Sequence, residues 1–216
     1  MKPSIERATR RRCLQGALAL FATLACGPVG NATTRSDYEA RAMVTRLVEN
    51  ILHVISSDRG RAGADRRLMA TIESQTDLSL LARMTMGRHW RRATVRQRET
   101  FVGIFRRYLL GSFTSRLRHY AGVGLGNASE RFEITATQPV GKNDILVRSR
   151  IDPPSGAPLQ VDWRLRSRNG RLLIIDLVVE GVSLLITQRS EFGSVLERIG
   201  IDGLIGELQS RVVRMI

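Results

Sequence analysis

Along the first half of the chain, apolar residues recur at steps of three and four, which is the spacing of one face of an α-helix. This spacing predicts a first helix that ends before the loop Ser57–Gly63 and a second helix over Ala64–Ser74. A third helix is predicted over Leu78–Met86, with Asp77 as its N-terminal cap and Gly87 closing its C-terminal end. The N-terminal part of the fold is therefore expected to be helical.

The longest predicted helix begins at the capping box Thr94-Val95-Arg96-Gln97 and runs to about residue 120, where the glycine-rich Gly122–Gly126 ends it. At ~1.5 Å per residue it would be a rod of roughly 40 Å. Aromatic residues dominate its apolar side, and arginines cover much of the remaining surface. The helix therefore has one aromatic side and one basic side.

After Arg131 the hydrophobic period drops to two, which is the alternation of a β-strand with one dry and one wet face. The alternation is clearest over Leu159–Arg166. Asn169-Gly170 then predicts a tight hairpin into a last strand over Arg171–Glu180. The second half of the chain is therefore predicted to form a four-stranded antiparallel meander.

The stretch Ile174–Phe192 combines both periods. It begins as an apolar run typical of a strand buried on both faces, and from Ser183 it continues with helical spacing. Gly181 lies at the change, where a residue without a side chain permits a sharp bend or the close approach of another backbone. The strand is thus predicted to bend directly into a helix that Gly200 ends, and a final short helix follows from Asp202.

These elements predict an α+β fold, with N-terminal helices packed on a curved four-stranded antiparallel sheet and two C-terminal helices. A chain of 216 residues fits one domain, which we expect over residues 33–216. Residues 1–32 have the basic, apolar and small-residue segments of a cleavable export signal. Their apolar core of about nine residues is too short for a permanent membrane span, which needs about 20. Two questions stay open there: whether export uses the general or the twin-arginine route, and whether Cys26 is lipidated.

The chain is strongly basic, with 34 Lys and Arg residues, 20 Asp and Glu residues and a formal net charge of +14 at pH 7. An exported basic protein is drawn to anionic surfaces, and outside the cytoplasm these are phospholipid headgroups or an acidic partner more often than nucleic acid. We therefore expect no nucleic-acid partner. Both cysteines precede residue 33, so the core of the predicted domain must support the fold without a disulfide.

The sequence lacks the motifs of catalysis and metal binding. The three histidines, His53, His89 and His119, have no second ligand residue at metal-binding spacing. Ser183 does not form a nucleophile elbow, because Leu185 stands where the second glycine would be. We therefore expect a binding protein without metal or cofactor and not an enzyme, with an exported hydrolase that uses Ser183 as the remote alternative.

Asp176 interrupts an otherwise apolar strand, and burial of a lone carboxylate is costly unless it is paired. A structural salt bridge or a solvent-facing strand position would each explain it, and the same two explanations apply to Glu180 and Arg189. Together with Gly181 and Ser183, these residues are predicted to hold the joint between sheet and helix and not to act as catalytic groups.

Two blocks of the sequence resemble a known family. The blocks are Met86–Thr94 with Gln97-Arg98 and Phe101 after it, and Ile175–Leu184 with Arg189, Phe192 and Gly200 after it. Their core, Asp-x-x-x-Glu-Gly-Val-Ser followed by Arg and Phe, resembles the MlaC or toluene-tolerance family of periplasmic phospholipid-binding proteins. Departures from the family pattern at Thr85-Met86 and at Gln188 leave the branch open, and the hopanoid-associated HpnM branch is one candidate.

The resemblance implies a periplasmic shuttle that holds the acyl chains of a phospholipid in an apolar cavity between helices and curved sheet and leaves the headgroup outside. It also implies two partners, an outer-membrane lipoprotein complex and an inner-membrane ABC transporter complex. We expect such a shuttle to be a monomer. A hopanoid-associated carrier and a periplasmic adaptor that carries nothing are the alternatives, and the adaptor predicts a filled core.

The size of the expected cavity follows from the energy of the cargo. Burial of acyl carbons is worth ~0.8 kcal/mol per CH₂, so two chains lose on the order of 20 kcal/mol when they leave a bilayer. A carrier that returns this energy needs an uncharged cavity near the upper end of the usual ~300–1,000 Å³. The expected lining is the aromatic side of the long helix and the dry faces of the strands: Phe101, Phe105, Tyr108, Leu109, Phe113, Ile134, Val147, Val161, Trp163 and Ile175. Basic residues at the rim would hold the headgroup phosphate, but the sequence does not select among them.

Overall fold

The structure is a computed structural model that describes residues 35–57, 61–122, 131–152 and 157–215, which belong to one compact unit. Its helices are α1 (Arg35–Ser57), α2 (Arg61–Ser74), α3 (Leu78–Met86), a 3₁₀ helix (Gly87–Arg91), α4 (Val95–Gly122) and α5 (Leu184–Val213). Its strands are β1 (Phe132–Val140), β2 (Asp144–Ile151), β3 (Leu159–Arg168), β4 (Arg171–Val179) and β5 (Val182–Ser183). The predicted export segment with Cys26 lies outside the described residues.

The strands form one antiparallel sheet in the order β1-β2-β3-β4-β5, and this confirms the predicted α+β fold with an antiparallel meander. The predicted hairpin between β3 and β4 is present, with positive φ angles of 51° at Asn169 and 73° at Gly170. Positive φ at both central residues is what a tight two-residue hairpin turn requires. Among the described helices, none has the length and apolar character that a membrane span requires.

The sheet has one strand more than predicted, because β4 does not bend into a helix at Gly181. Glu180 and Gly181 have φ angles of 49° and 78° and form a second tight turn, after which the chain pairs back on β4 through β5. Helix α5 begins only after these two residues of β5. An added Cβ at Gly181 would meet nothing within 4 Å, so this glycine serves the turn and not a close backbone approach.

The C-terminal helices are two segments of α5 on either side of Gly200, whose φ of 72° and ψ of −172° interrupt the helical backbone. This agrees with the predicted end of a helix at Gly200, although the second segment follows without a loop. Just after the break, Asp202 accepts two hydrogen bonds of 3.1 Å from the Gln97 side chain at the start of α4. The second segment of α5 is thereby held against α4.

The predicted helix caps are also present. Asp77 accepts a hydrogen bond of 3.0 Å from the backbone amide of Leu80 at the start of α3, and Gly87 after its end has a positive φ of 52°. At the start of α4, Thr94 and Gln97 exchange hydrogen bonds of 3.0 and 3.2 Å between backbone amides and side-chain oxygens, which is a capping box. Local chemistry therefore determines where these helices begin.

The buried side chains form two clusters. The first joins α1 and α2 to the dry face of the sheet and includes Val44, Val147 and Leu165. The second joins α3, α4 and α5 around the aromatic side of α4. Within it, the Phe192 ring meets the rings of Phe101 and Phe105 edge-on, with centroids 6.0 and 6.2 Å apart. The long aromatic helix is thus packed mainly against α5.

A buried carboxylate at the start of β2 pairs with two arginines on β3. Asp144 accepts hydrogen bonds from Arg164 Nε at 2.8 Å and from Arg166 Nε at 2.6 Å, and only about 4% of its side chain is exposed. Burial alone would raise the pKa of Asp144, but the hydrogen bonds from Arg166 and Arg164 and their positive charges lower it below its ordinary value. The ionised form is therefore bound more strongly in the folded protein than in the unfolded chain.

Asp144→Asn is expected to lower the free energy of unfolding at pH 7 by about 2 kcal/mol. Breaking a fully buried pair costs roughly 3–5 kcal/mol, and the loss here should be smaller because both arginines are about one-third exposed. Because the pKa of Asp144 is lower in the folded protein than its unfolded value of ~3.9, the ionised carboxylate stabilises the fold above that pH. This stabilisation is lost as the pH falls through the pKa of the folded protein. Urea unfolding from pH 7 to pH 2 should therefore show the deficit shrinking below about pH 4.

The matched control for this prediction is Asp152→Asn, whose ion pair with Arg150 is about half exposed. Its loss should cost at most about 1 kcal/mol. A deficit at Asp144 that stays constant down to pH 2 would contradict the pairing described above.

Candidate functional site

A cavity of about 190 Å³ lies between the two core clusters. Its walls come from all five α-helices, or the chain just after them, and from β3 and β4. Most of the lining is apolar: Leu47, Ile51, Ile72, Leu81, Phe105, Leu109, Phe113, Leu117, Trp163, Ile174, Leu177, Leu184 and Leu185. The polar lining residues are Thr76, Thr85, Tyr108, Ser112, Arg116, Asp176, Thr187, Gln188 and Glu191. The arrangement suits an apolar ligand with a polar end.

Five of the predicted lining residues lie on this cavity, namely Phe105, Tyr108, Leu109 and Phe113 on α4 and Trp163 on β3. The Trp163 indole donates a hydrogen bond of 2.9 Å to Ser149 Oγ. Because its polar nitrogen has this partner inside the protein, the ring can be buried without loss of a hydrogen bond.

The other five predicted lining residues lie elsewhere: Phe101, Ile134, Val147, Val161 and Ile175. Phe101 is fully buried in the second cluster, and Val147 and Val161 belong to the first. Ile134 is half-buried and packs against the first cluster. Ile175 is fully buried and lies at a β-bulge, because Arg164 pairs with Asp176 and Leu165 with Ile174, which leaves Ile175 without a partner on β3. It does not line the cavity, although Ile174 and Asp176 on either side of it do.

Several lining residues were missed by the sequence analysis, including Leu47 and Ile51 on α1 and Ile72 on α2. A signal for the first two exists, since they lie one turn apart on the apolar face of α1. No pattern in the sequence distinguishes a side that faces a cavity from one that faces a filled core. Both are simply apolar.

The cavity is smaller than expected for two acyl chains, because about 190 Å³ lies below the usual range of roughly 300–1,000 Å³ for ligand sites. It lies, however, at the boundary between the two clusters and not inside either of them. Separation of the clusters would therefore enlarge it without disrupting the packing within each one.

Asp176 and Ser183 together cap the N-terminus of α5. Asp176 is buried, and it accepts hydrogen bonds of 2.5 Å from Ser183 Oγ and 3.0 Å from the Leu185 backbone amide. Ser183 Oγ in turn accepts one of 3.0 Å from the Ile186 amide. Neither explanation offered from the sequence describes Asp176, since it neither faces solvent nor uses an arginine partner in these contacts. Its carboxylate instead satisfies the donors at the helix start.

The other predicted joint residues also contact neighbouring elements. Glu180 accepts a hydrogen bond of 2.5 Å from the Gln160 amide and donates its own amide to the Gln160 carbonyl at 3.1 Å, so the turn after β4 is tied to β3. The guanidinium of Arg189 lies against Gly87, where an added Cβ would be 3.0 Å from Arg189 Nε. Helix α5 is thereby placed beside the end of α3.

Asp176→Ala is expected to lower the free energy of unfolding by about 2–3 kcal/mol, because two donors at the start of α5 lose a charged acceptor. Ser183→Ala removes the cap on the Ile186 amide and the hydroxyl that donates to Asp176, but Asp176 still caps the Leu185 amide, so the cost should be about 1 kcal/mol. Urea unfolding of both variants measures the difference. Equal costs would show that Asp176 does not act as the main cap.

A polar network joins α4 to both segments of α5 beside the cavity. Tyr108 donates to Gln188 at 3.4 Å, Gln188 donates to Glu191 at 3.0 Å, and Arg211 forms ion pairs with Glu191 and, at 2.6 Å, with Glu207. The hydrogen bond to Glu191 raises the pKa of Arg211 against the lowering effect of burial, and bonds to Glu207 and Tyr108 add to this. The negative charge of Glu191 is therefore compensated within the network.

Comparisons with known proteins agree with this fold. The family model for the MlaC protein matches residues 45–210. The intermembrane phospholipid transport system binding protein MlaC of Haemophilus influenzae is 22% identical over 186 residues, which cover 82% of this chain and 84% of that protein. A structure of a phospholipid-binding protein from Ralstonia solanacearum in complex with a phospholipid superposes with a TM-score of 0.65 at 22% identity, covering 82% of this chain and 98% of that one. That similarity shows a shared fold.

Proposed function

The chain belongs to the MlaC family, and from this premise we propose that it is a periplasmic carrier that binds a phospholipid and catalyses no reaction. The acyl chains would lie in the cavity between the helices and the sheet, and the headgroup would remain outside. The name of the Haemophilus relative and the phospholipid bound by the Ralstonia protein support the choice of cargo.

The observation that carries this proposal is the position of the apolar cavity between two separately packed clusters. Two acyl chains need more room than about 190 Å³, and each buried CH₂ contributes ~0.8 kcal/mol. A lipid that enters between the clusters could therefore offset the cost of separating them. A cavity inside one cluster would require the core itself to be broken.

The proposal extends to the location and the partners of the protein. Residues 1–32 would direct export and be removed, and residues 33–216 would act as a monomeric domain in the periplasm. The carrier would exchange lipid with an outer-membrane lipoprotein complex and an inner-membrane ABC transporter complex. The strong positive charge of the chain supports such a role, because it favours encounters with anionic lipid surfaces.

Uptake of lipid from vesicles tests the proposal. The protein, freed of lipid by solvent extraction, is incubated with vesicles that contain phospholipid and a hopanoid, then separated from them and extracted for lipid analysis. A carrier of phospholipid should return phospholipid, and a hopanoid-associated carrier should return the hopanoid. A protein that emerges empty would instead be the adaptor with a filled core.

A further inference from the structure

The cavity-facing stripe of α4 changes character along its length. Phe105, Leu109, Ser112 and Arg116 follow one another at steps of four, three and four, and all four line the cavity. The stripe therefore runs from an aromatic ring through a hydroxyl to a guanidinium. At ~1.5 Å per residue, the distance from the first of these residues to the last is about 16 Å.

Exposure shows where the cavity opens. Among its lining residues, Arg116, Thr187 and Glu191 are exposed, whereas Phe105 is 1% exposed and Trp163 is 7% exposed. The exposed residues belong to the last part of α4 and the first part of α5. The mouth of the cavity therefore lies between these two helices, with Arg116 beside it.

The charge at this mouth is not balanced. Glu191 is engaged by Arg211 and Gln188, as described above. Arg116 takes part in no ion pair with a carboxylate among the residues that the structure describes. Among the described residues that line the cavity it is also the one arginine, although the chain contains many. The mouth consequently presents a guanidinium whose donors are available to a ligand.

We propose that Arg116 binds the phosphate of the phospholipid headgroup while the acyl chains lie along the apolar lining below it. This inference rests on the proposed carrier function and deepens it by naming the residue that holds the polar end. A guanidinium presents forked donors that match phosphate oxygens. The hydroxyls of Ser112 and Thr187 line the same cavity and can donate further hydrogen bonds. The cargo is thereby oriented with its phosphate at the mouth.

The test compares two lipids that differ in the phosphate. Protein freed of lipid is incubated with phosphatidylcholine vesicles containing diacylglycerol of the same acyl chains, and the bound lipids are counted by native mass spectrometry. Because phosphatidylcholine carries no net charge, general attraction to a basic protein contributes little to the comparison. The wild type should take up phosphatidylcholine about tenfold more readily than diacylglycerol after correction for vesicle composition, as expected for one charge-assisted hydrogen-bond site.

Arg116→Gln should lose most of this preference and Arg116→Lys should keep part of it. The matched control is Arg107→Gln, since Arg107 is exposed on the opposite face of α4, nine residues and therefore about 180° away. It makes the same change in charge and should keep the full preference. Inorganic phosphate on the order of millimolar should leave the preference unchanged, because a free anion lacks the contribution of the acyl chains.

The outcomes separate the two proposals. A wild type that binds neither lipid would overturn the carrier function, and the role of Arg116 with it. If the wild type binds lipid without a preference, or Arg116→Gln keeps the preference, the carrier function stands and the assignment of Arg116 is overturned. Loss of the preference in inorganic phosphate would identify a general anion site at Arg116 and would likewise overturn a headgroup role.

Discussion

Leu177→Trp is expected to reduce phospholipid binding about tenfold without lowering the stability of the fold. Leu177 is half-buried on β4 and lines the cavity, so the larger indole would occupy space that acyl carbons need. Displacement of about two CH₂ groups costs ~1.6 kcal/mol of binding free energy, which is roughly a tenfold loss of affinity. Titration with fluorescent phospholipid gives the affinity, and thermal unfolding gives the stability.

The matched control is Val178→Trp, on the next residue of the same strand. Val178 is also half-buried, but adjacent residues of a strand point to opposite faces, so this tryptophan should leave lipid affinity unchanged. An adaptor with a filled core makes the opposite prediction for Leu177→Trp, because overpacking a core destabilises it by about 1–3 kcal/mol. Loss of stability with no effect on lipid binding would therefore contradict the carrier account.

Phe192→Ala is expected to lower the free energy of unfolding by about 3–5 kcal/mol, the typical cost of removing a buried aromatic ring. Phe192 is 1% exposed, and its ring contacts Phe101, Phe105 and Tyr108 with centroids about 6 Å apart. The substitution leaves a void at the centre of the second cluster. Urea unfolding measures the loss as a lower midpoint at an unchanged slope.

A matched control lies on the same helix at Ile186, whose side chain is 68% exposed. Ile186→Ala should change the unfolding free energy by no more than about 0.5 kcal/mol. If both variants lose the same stability, the α4–α5 contact is not the main support of the second cluster.

The parts of the fold that local rules control could be predicted from the sequence. Helix caps at Asp77 and Thr94 and the hairpin at Asn169-Gly170 depend on residues within a few positions of one another, and all three are confirmed. The two-residue β5 could not be predicted, because it is too short to show a period. Its formation depends on the turn at Glu180-Gly181, which the apolar pattern on both sides obscures.

The candidate site was only partly predictable for a different reason. Alternation along β4 would place Ile175 and Leu177 on one face and Ile174 on the other, but a β-bulge at Ile175 interrupts it. Ile175 was therefore proposed, whereas Ile174 and Leu177 line the space. The choice of Arg116 among many arginines likewise required the structure, since its position at the mouth depends on how α4 packs against α5.

The central claim is that a phospholipid occupies the cavity. Native mass spectrometry tests this claim most directly, on the full chain produced with its N-terminal segment and purified without detergent. The account predicts a population heavier by the mass of one phospholipid, released as an intact lipid on collisional activation and decreased in Leu177→Trp but not in Val178→Trp. A single species at the mass of the polypeptide alone, unchanged after incubation with phospholipid vesicles, would contradict it.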